Sequence, residues 1–188
     1  MLSLILTSAV ACAQPAAAQQ PPLPTVEFTV EVLGNRLADF TTKMDAYAEL
    51  RRSLEQGLPP LSVTDHPAEI RRAERLLAER IRKARAGARR HDIFTEDIRR
   101  GFRQVLRRVI NRGICAAIAD DNPREFRYPV NGEYPKDRPV STVPASILNA
   151  LPALPPDVHY RFLDLDLILH DTRANIILDR IDVAIDCP

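Results

Sequence analysis

The sequence predicts an α+β domain, mainly helical: three main helices followed by a small C-terminal antiparallel three-stranded meander. Three observations carry this. Between Leu37 and Ile110 apolar residues recur mostly at spacings of three and four, the period of a helix with one buried face. From Val158 onward the period drops to two, that of a strand. Six glycines and no tryptophan speak against a large β-sandwich, and the frequent Leu, Ala, Arg and Glu favour helices.

The first helix is secure from about Asn35 to Gln56, where Leu37, Phe40, Met44, Tyr47, Leu50 and Leu54 share a face. Gly57 and Pro59-Pro60 end it. Val26–Val32 fits either element. Val26, Phe28, Val30 and Val32 alternate as a strand would, yet Val26, Val30 and Leu33 stay in phase with Leu37 across Gly34, which tips the segment toward helix. The second helix begins near Asp65-His66-Pro67, with Asp65 as cap and Glu69 at the positive end. Ile70, Ala73, Leu77, Ile81 and Ala84 form its stripe, and Gly87 stops it. The third starts at Thr95 and buries Ile98, Phe102, Val105, Leu106, Val109 and Ile110. Gly113 is expected to interrupt it, with a further turn or two over Ile114–Ala119.

Residues 120–143 read as an extended loop with four prolines and the turn Asn131-Gly132. A short helix is expected over Pro144–Leu151, with Pro144 at its first position, and Pro152–Pro156 is a spacer. Strands are expected over Val158–Phe162, Leu167–His170 and Ile176–Asp179. The alternation changes phase between Phe162 and Leu163, so a turn belongs near Leu163–Asp166, and Asp171–Asn175 joins the last two strands. Three short strands with one apolar face need a helical cover.

The chain divides into a secretory signal over residues 1–18, a leader and helix start over 19–34, and one domain over 35–188. Within that domain, helices take 35–119, the loop 120–143 and the strands 157–181. Met1–Ala11 is apolar, uncharged and too short to span a bilayer, and the small residues Ala11-Cys12-Ala13 and Ala16–Ala18 follow it, the pattern of a cleaved export signal. Cleavage is expected after Ala18, or else after Ala13. Acylation of Cys12 would make a lipoprotein instead. The expected location is periplasmic or secreted, with no transmembrane segment in the mature chain.

Charge is uneven. Residues 71–112 hold 15 Lys/Arg against 5 Asp/Glu, although the whole chain carries only +1. The densest part, Arg80, Arg82, Lys83, Arg85, Arg89 and Arg90, is the candidate anion-binding surface for an anionic macromolecule or a protein partner. The alternative is a set of solvated helix faces whose arginines pair with acids elsewhere. Catalytic residues cannot be assigned: G-x-S-x-G, G-x-G-x-x-G, the P-loop and H-E-x-x-H are all missing. No cofactor is called for. His66, His91, His159 and His170 are scattered without zinc spacing, so no metal site is expected, although His159 and His170 could approach across strands near Asp164, Asp166 or Asp171. Asp120-Asp121 reads as a helix-ending turn. Cys115 and Cys187 read either as separate thiols or as a disulfide.

Several segments together resemble a group of uncharacterised exported bacterial proteins with no known activity. These include Tyr47-Ala-Glu-Leu-Arg51-Arg52, Val130-Asn131-Gly132-Glu133-Tyr134-Pro135 and Tyr160-Arg161-Phe162 with Asp166 and Leu169. The last also looks faintly like the C-terminal strands of small periplasmic metal-homeostasis proteins, without any ligand residue. The resemblance implies compartment and single-domain organisation only. The leading functional expectation is an exported, non-enzymatic envelope or secreted protein that binds another macromolecule. The alternative is a hydrolase or other enzyme with a site between the helices and the 120–145 loop.

Overall fold

The computed structural model describes residues 26–58, 66–121, 128–137 and 140–187, with side chains from Leu33 onward. The apolar N-terminal run, Cys12, the leader, Pro59-Pro60, Asp65 and its expected cap lie outside the described residues. The chain forms α1 (Val26–Glu55), α2 (Pro67–Ala84), α3 (Glu96–Val109), α4 (Arg112–Asp120) and α5 (Ala145–Leu148). Then come β1 (Val158–Leu163), β2 (Asp166–Asp171) and β3 (Ile176–Ile181). The architecture is α+β with a C-terminal three-stranded antiparallel sheet in the order β1-β2-β3.

The helical phase over Val26–Val32 prevails, and α1 runs unbroken through Gly34. On α2 the stripe is narrower than its spacing implies: Ala73, Leu77 and Ile81 are buried, whereas Ile70 and Ala84 at its two ends are exposed. The break after α3 falls earlier than Gly113. Ile110 leaves helical geometry, and the Asn111 side chain accepts a hydrogen bond from the Ile114 backbone amide at 3.1 Å, capping α4. Gly113 therefore sits inside α4, because a capping side chain sets a helix start more firmly than a glycine's weak propensity opposes it. Pro144 precedes α5 as its cap, and α5 ends at Leu148.

The sheet is a meander. Leu163 pairs with Asp166, so β1 and β2 are joined through Asp164 and Leu165, with Asp164 in the left-handed region that Asp tolerates (φ 56°). A bulge lies between β2 and β3 at Leu169/His170. It breaks strict alternation, so that Leu178 joins the main core while the neighbouring Asp179 also meets the helical layer. Beyond β3, residues 131–134 add a short antiparallel pairing at Glu133 and Ile176, with the Asn131 amide donating to the Ile177 carbonyl at 2.7 Å. This covers much of an edge that would otherwise offer unpaired backbone groups. The turn that delivers it needs Gly132: a Cβ there would lie 2.8 Å from the Pro129 carbonyl oxygen.

The two faces of the sheet are buried differently. Tyr160, Phe162, Leu167, Leu169 and Leu178 meet Phe40, Met44, Ile81, Phe94 and Phe102 of the helical layer. Phe40, Phe94 and Phe102 pack with ring centroids 4.8–5.5 Å apart. Phe102 meets Phe40 and Phe94 edge-to-face, whereas Phe40 and Phe94 stack, and such pairs add about 0.5–1.5 kcal/mol each beyond area burial. The opposite face carries a second, smaller core: Leu163, Ile168 and Ile177 under Tyr128 and Tyr134. The proline-bearing loop thus covers the side of the sheet that the helices leave open. Among the described residues no helix is long and apolar enough to cross a membrane.

Cys115 on α4 and Cys187 after β3 form a disulfide across a separation of 72 residues, with Cα atoms 5.8 Å apart. Thiol titration of the denatured, unreduced protein should find neither of these two cysteines. Replacing both by Ser should lower unfolding free energy by up to about 4 kcal/mol, the loop-closure figure for this span. Titration of both as free thiols, or an unchanged denaturation midpoint in the double variant, would contradict the pairing.

Candidate functional site

The basic stretch at the end of α2 does not form one continuous face. Arg80 donates to the Leu54 and Gln56 carbonyls at 2.7 and 2.8 Å, closing the C-terminus of α1. Arg82 donates through Nε to the Asn131 carbonyl at 3.0 Å. Arg85 donates to the Leu178 carbonyl at 3.0 Å, and its guanidinium stands 5.5 Å from the Tyr47 ring centre. The Arg89 backbone amide donates to Asp92, and Arg90 pairs with Asp182 at 3.3 Å. Lys83 is exposed and makes no ion pair among the described residues. Arg80, Arg82 and Arg85 therefore serve backbone carbonyls of three other segments, a role that neither an anion surface nor a set of surface ion pairs anticipates.

His159 and His170 are direct cross-strand neighbours, as their spacing allowed. They form no metal centre: among the described residues, no group of three or more His, Cys, Asp or Glu could hold an ion. His170 is buried beneath Tyr134, ring centres 4.7 Å apart, with Nε2 3.0 Å from Asn175 Oδ1. Burial pushes its pKa down to about 4, opposed by the hydrogen bond that its Nε2 donates to Asn175 Oδ1. Arg161 and His159 lower it further, and Asp171 opposes them. His159 is also lowered, by burial and by Arg161. His91 reaches Asp182 at 3.2 Å, and His66 caps α2 through its backbone position alone. Asp166 accepts from the Tyr128 hydroxyl and the Val183 amide, and Asp121 accepts from Thr142.

The most buried charges escape sequence reasoning. Asp171 is 0 % exposed and accepts from the Tyr47 hydroxyl at 2.5 Å, from Arg51 at 3.3 Å, and from the Arg173 and Ala174 amides at 3.0 Å. Burial and the Asp171 charge push the Tyr47 hydroxyl far up, so it stays protonated and donates. Arg51 also donates to the Pro156 carbonyl at 2.7 Å. Tyr47 and Arg51 lie one helical turn apart, which was legible, but their partner 120 residues downstream was not.

Among the clefts on the described surface, two bear on the site. One, of about 470 Å³, lies between β1 and residues 142–154 and is lined by Val143, Leu148, Leu154, His159 and Arg161. The other, of about 770 Å³, lies between α3 and the tail after β3. The described part of the 120–145 loop contacts α2 through Asn131 and through the Lys136–Glu74 ion pair at 2.6 Å, then passes to the outer face of the sheet.

Two outcomes follow from this geometry. Arg82→Gln and Arg85→Gln should each destabilise by about 1–3 kcal/mol, the scale for losing a charged donor to a part-buried carbonyl. Lys83→Gln should change stability by less than about 0.5 kcal/mol. Equal effects in chemical denaturation would refute the distinction. The second concerns acid. His170 is lowered on folding, so its contribution is complete above the unfolded value of about 6.5 and fades as pH falls toward its folded value. Between pH 7.5 and pH 5, the wild type should lose about 2 kcal/mol more than His170→Gln does, at 1.36 kcal/mol per pH unit. Parallel pH profiles would refute it. No protein-family model matches the chain, and no curated protein or solved structure matches it.

Proposed function

We propose that this chain is an exported protein, periplasmic or secreted, that binds another macromolecule and carries out no chemistry of its own. The observation that supports export is the Cys115–Cys187 disulfide, since such bonds persist in oxidising compartments and are rare in reducing ones. The apolar run Met1–Ala11 with its following small residues agrees with it. Binding is favoured over catalysis by how the buried ionisable groups are used. Tyr47, Arg51 and Asp171 satisfy one another and nearby backbone, and Asp179 is filled by amides, so none of the four lines either cleft.

Intact-mass measurement on protein recovered from a bacterial host with a periplasm tests the export half. The expected mature N-terminus is Gln19, or Gln14 by the earlier cleavage. A diacylglyceryl adduct on Cys12 would select the lipoprotein route. A mass that retains Met1–Ala11, together with reduced Cys115 and Cys187, would overturn the proposal.

A further inference from the structure

The two edges of the sheet end differently. Residues 131–134 lie along β3. β1 has no such neighbour over its middle. The Asp157 carbonyl accepts from the Thr172 amide opposite it. In this antiparallel register the odd-numbered residues of β1 therefore turn their backbone groups toward β2, and the even-numbered ones turn theirs outward. Two outward groups are taken. The Val158 amide donates to the Pro155 carbonyl at 3.2 Å, and the Phe162 carbonyl accepts from the Ser141 hydroxyl at 2.5 Å. Between them, the Tyr160 amide and carbonyl and the Phe162 amide have no hydrogen-bond partner among the described residues.

This open stretch borders the cleft of about 470 Å³. Val158, His159, Tyr160 and Arg161 all line it. Their side chains alternate between the two faces of the sheet, so a cleft that all four line runs along the strand edge itself. Its other wall is mostly apolar, with Val143, Leu148, Pro152 and Leu154. Leu148, the last residue of α5, is 46 % exposed. The ionisable side chains of the lining are His159 and Arg161, which share the outer face of the sheet with their cross-strand neighbours His170 and Ile168. No carboxylate lines the cleft, and neither His159 nor Arg161 makes an ion pair among the described residues. Open edges are ordinarily blunted by charge, proline or a cover. Here the flanking wall leaves a slot beside unpaired backbone groups.

We propose that this slot takes an extended segment of a partner protein as a fourth, antiparallel strand beside β1, with apolar side chains on the Tyr160 face and acidic ones on the face of His159 and Arg161. The proposal rests on the reading that the chain binds another macromolecule, and it names the surface and the mode. An unpaired amide and carbonyl on one residue match the carbonyl and amide of one opposing residue in an antiparallel ladder. Neither a headgroup layer nor a nucleic acid presents that pair at strand spacing. The apolar wall suits the side chains on the Tyr160 face, and charge complementarity sets those on the other. A second copy of β1 fits less well, because its own edge is recessed behind the same wall.

The probe is an acetylated, amidated Thr-Val-Glu-Val-Glu-Val-Thr peptide, whose valines and glutamates fall on opposite faces of a strand. Full-length oxidised protein should bind it, more weakly as salt rises. N-methylation of the central valine should weaken binding by about tenfold or more, because that amide faces β1. N-methylation of a neighbouring glutamate, whose amide points away, should cost less than about threefold. The Gln-for-Glu peptide should bind about threefold more weakly or worse. Leu148→Ser should weaken binding by about fivefold or more with unchanged circular dichroism, since the side chain is half exposed. Arg161→Gln should remove the preference for Glu over Gln, and should that variant unfold, Leu148→Ser and the peptide series still decide. Absence of peptide binding, equal cost of the two N-methyl groups, equal binding of the Gln peptide or full affinity in Leu148→Ser overturns the proposal. So does tighter binding of phosphatidylglycerol vesicles or a DNA duplex, or a dimer in sedimentation that Leu148→Ser dissolves. Binding is measured on purified protein, so its failure is distinct from a failure of export. A macromolecule held equally well by Leu148→Ser would move binding to another surface and leave the broader reading standing.

Discussion

Asp179 carries a charge at the centre of the fold, and no cation neutralises it by direct contact among the described residues. Its side chain is fully buried, and its two oxygens accept from four backbone amides: His91 and Arg180 on one, Ile93 and Phe94 on the other, all within 2.9 Å. Charge-assisted bonds of this kind contribute about 1.5–3 kcal/mol each. A carboxylate left without them would carry a desolvation cost of several kcal/mol. The connector between α2 and α3 is therefore bound to β3 by one side chain. That connector sets Phe94 into the aromatic cluster and launches α3 over the sheet. His91 adopts φ 75° to bring its amide into place, local strain offset by the bond it makes. Without the bulge in β3, strict alternation would turn either Leu178 or Asp179 away from the helices.

The positive excess of residues 71–112 takes its meaning from the same geometry. A guanidinium has five donors in a planar fork and an aliphatic stem, so it can reach across a surface and cap carbonyls of distant segments. Arg80, Arg82, Arg85 and Arg103 do this at α1, the loop, β3 and the tail in turn. The acids of the C-terminal segment are engaged nearby, with Asp182 receiving Arg90, His91 and Arg180. A charge map made from sequence alone overstates what is free to meet a partner. Among the described residues, exposed cations without an ion-pair partner remain at both ends of the stretch, at Arg71, Arg72 and Arg75 and at Arg107, Arg108 and Arg112.

Helix existence and the meander were legible because periods of 3.6 and 2 follow directly from backbone geometry. Phe40, Met44 and Tyr47 on one side, and Leu167 and Leu169 on the other, fell where their spacing put them. What could not be read depends on long-range pairing. The bulge, the edge pairing of residues 131–134, the carbonyl partners of the arginines and the burial of Asp171 and Asp179 are properties of segments brought together from far apart. An Asp in a strand pattern looks like a turn or solvent-facing residue until its amide donors are known. The strain at Val183 was hidden for the same reason: it is an ordinary valine in sequence, and only its φ of 44° and its exposure distinguish it.

The connection of Tyr47 to Asp171 across 124 residues has a kinetic consequence. The helical layer closes its apolar face only on strands that come last in the chain, and three of those helices precede the sheet by at least 49 residues from Val109 to Val158. Contacts so distant in sequence must wait for loop closure, which slows folding relative to a bundle of the same size. Until β3 arrives, Asp179 is not there to hold the α2–α3 connector, and the early helices remain without their floor. A chain arranged in this order completes its core only when its final strand is available.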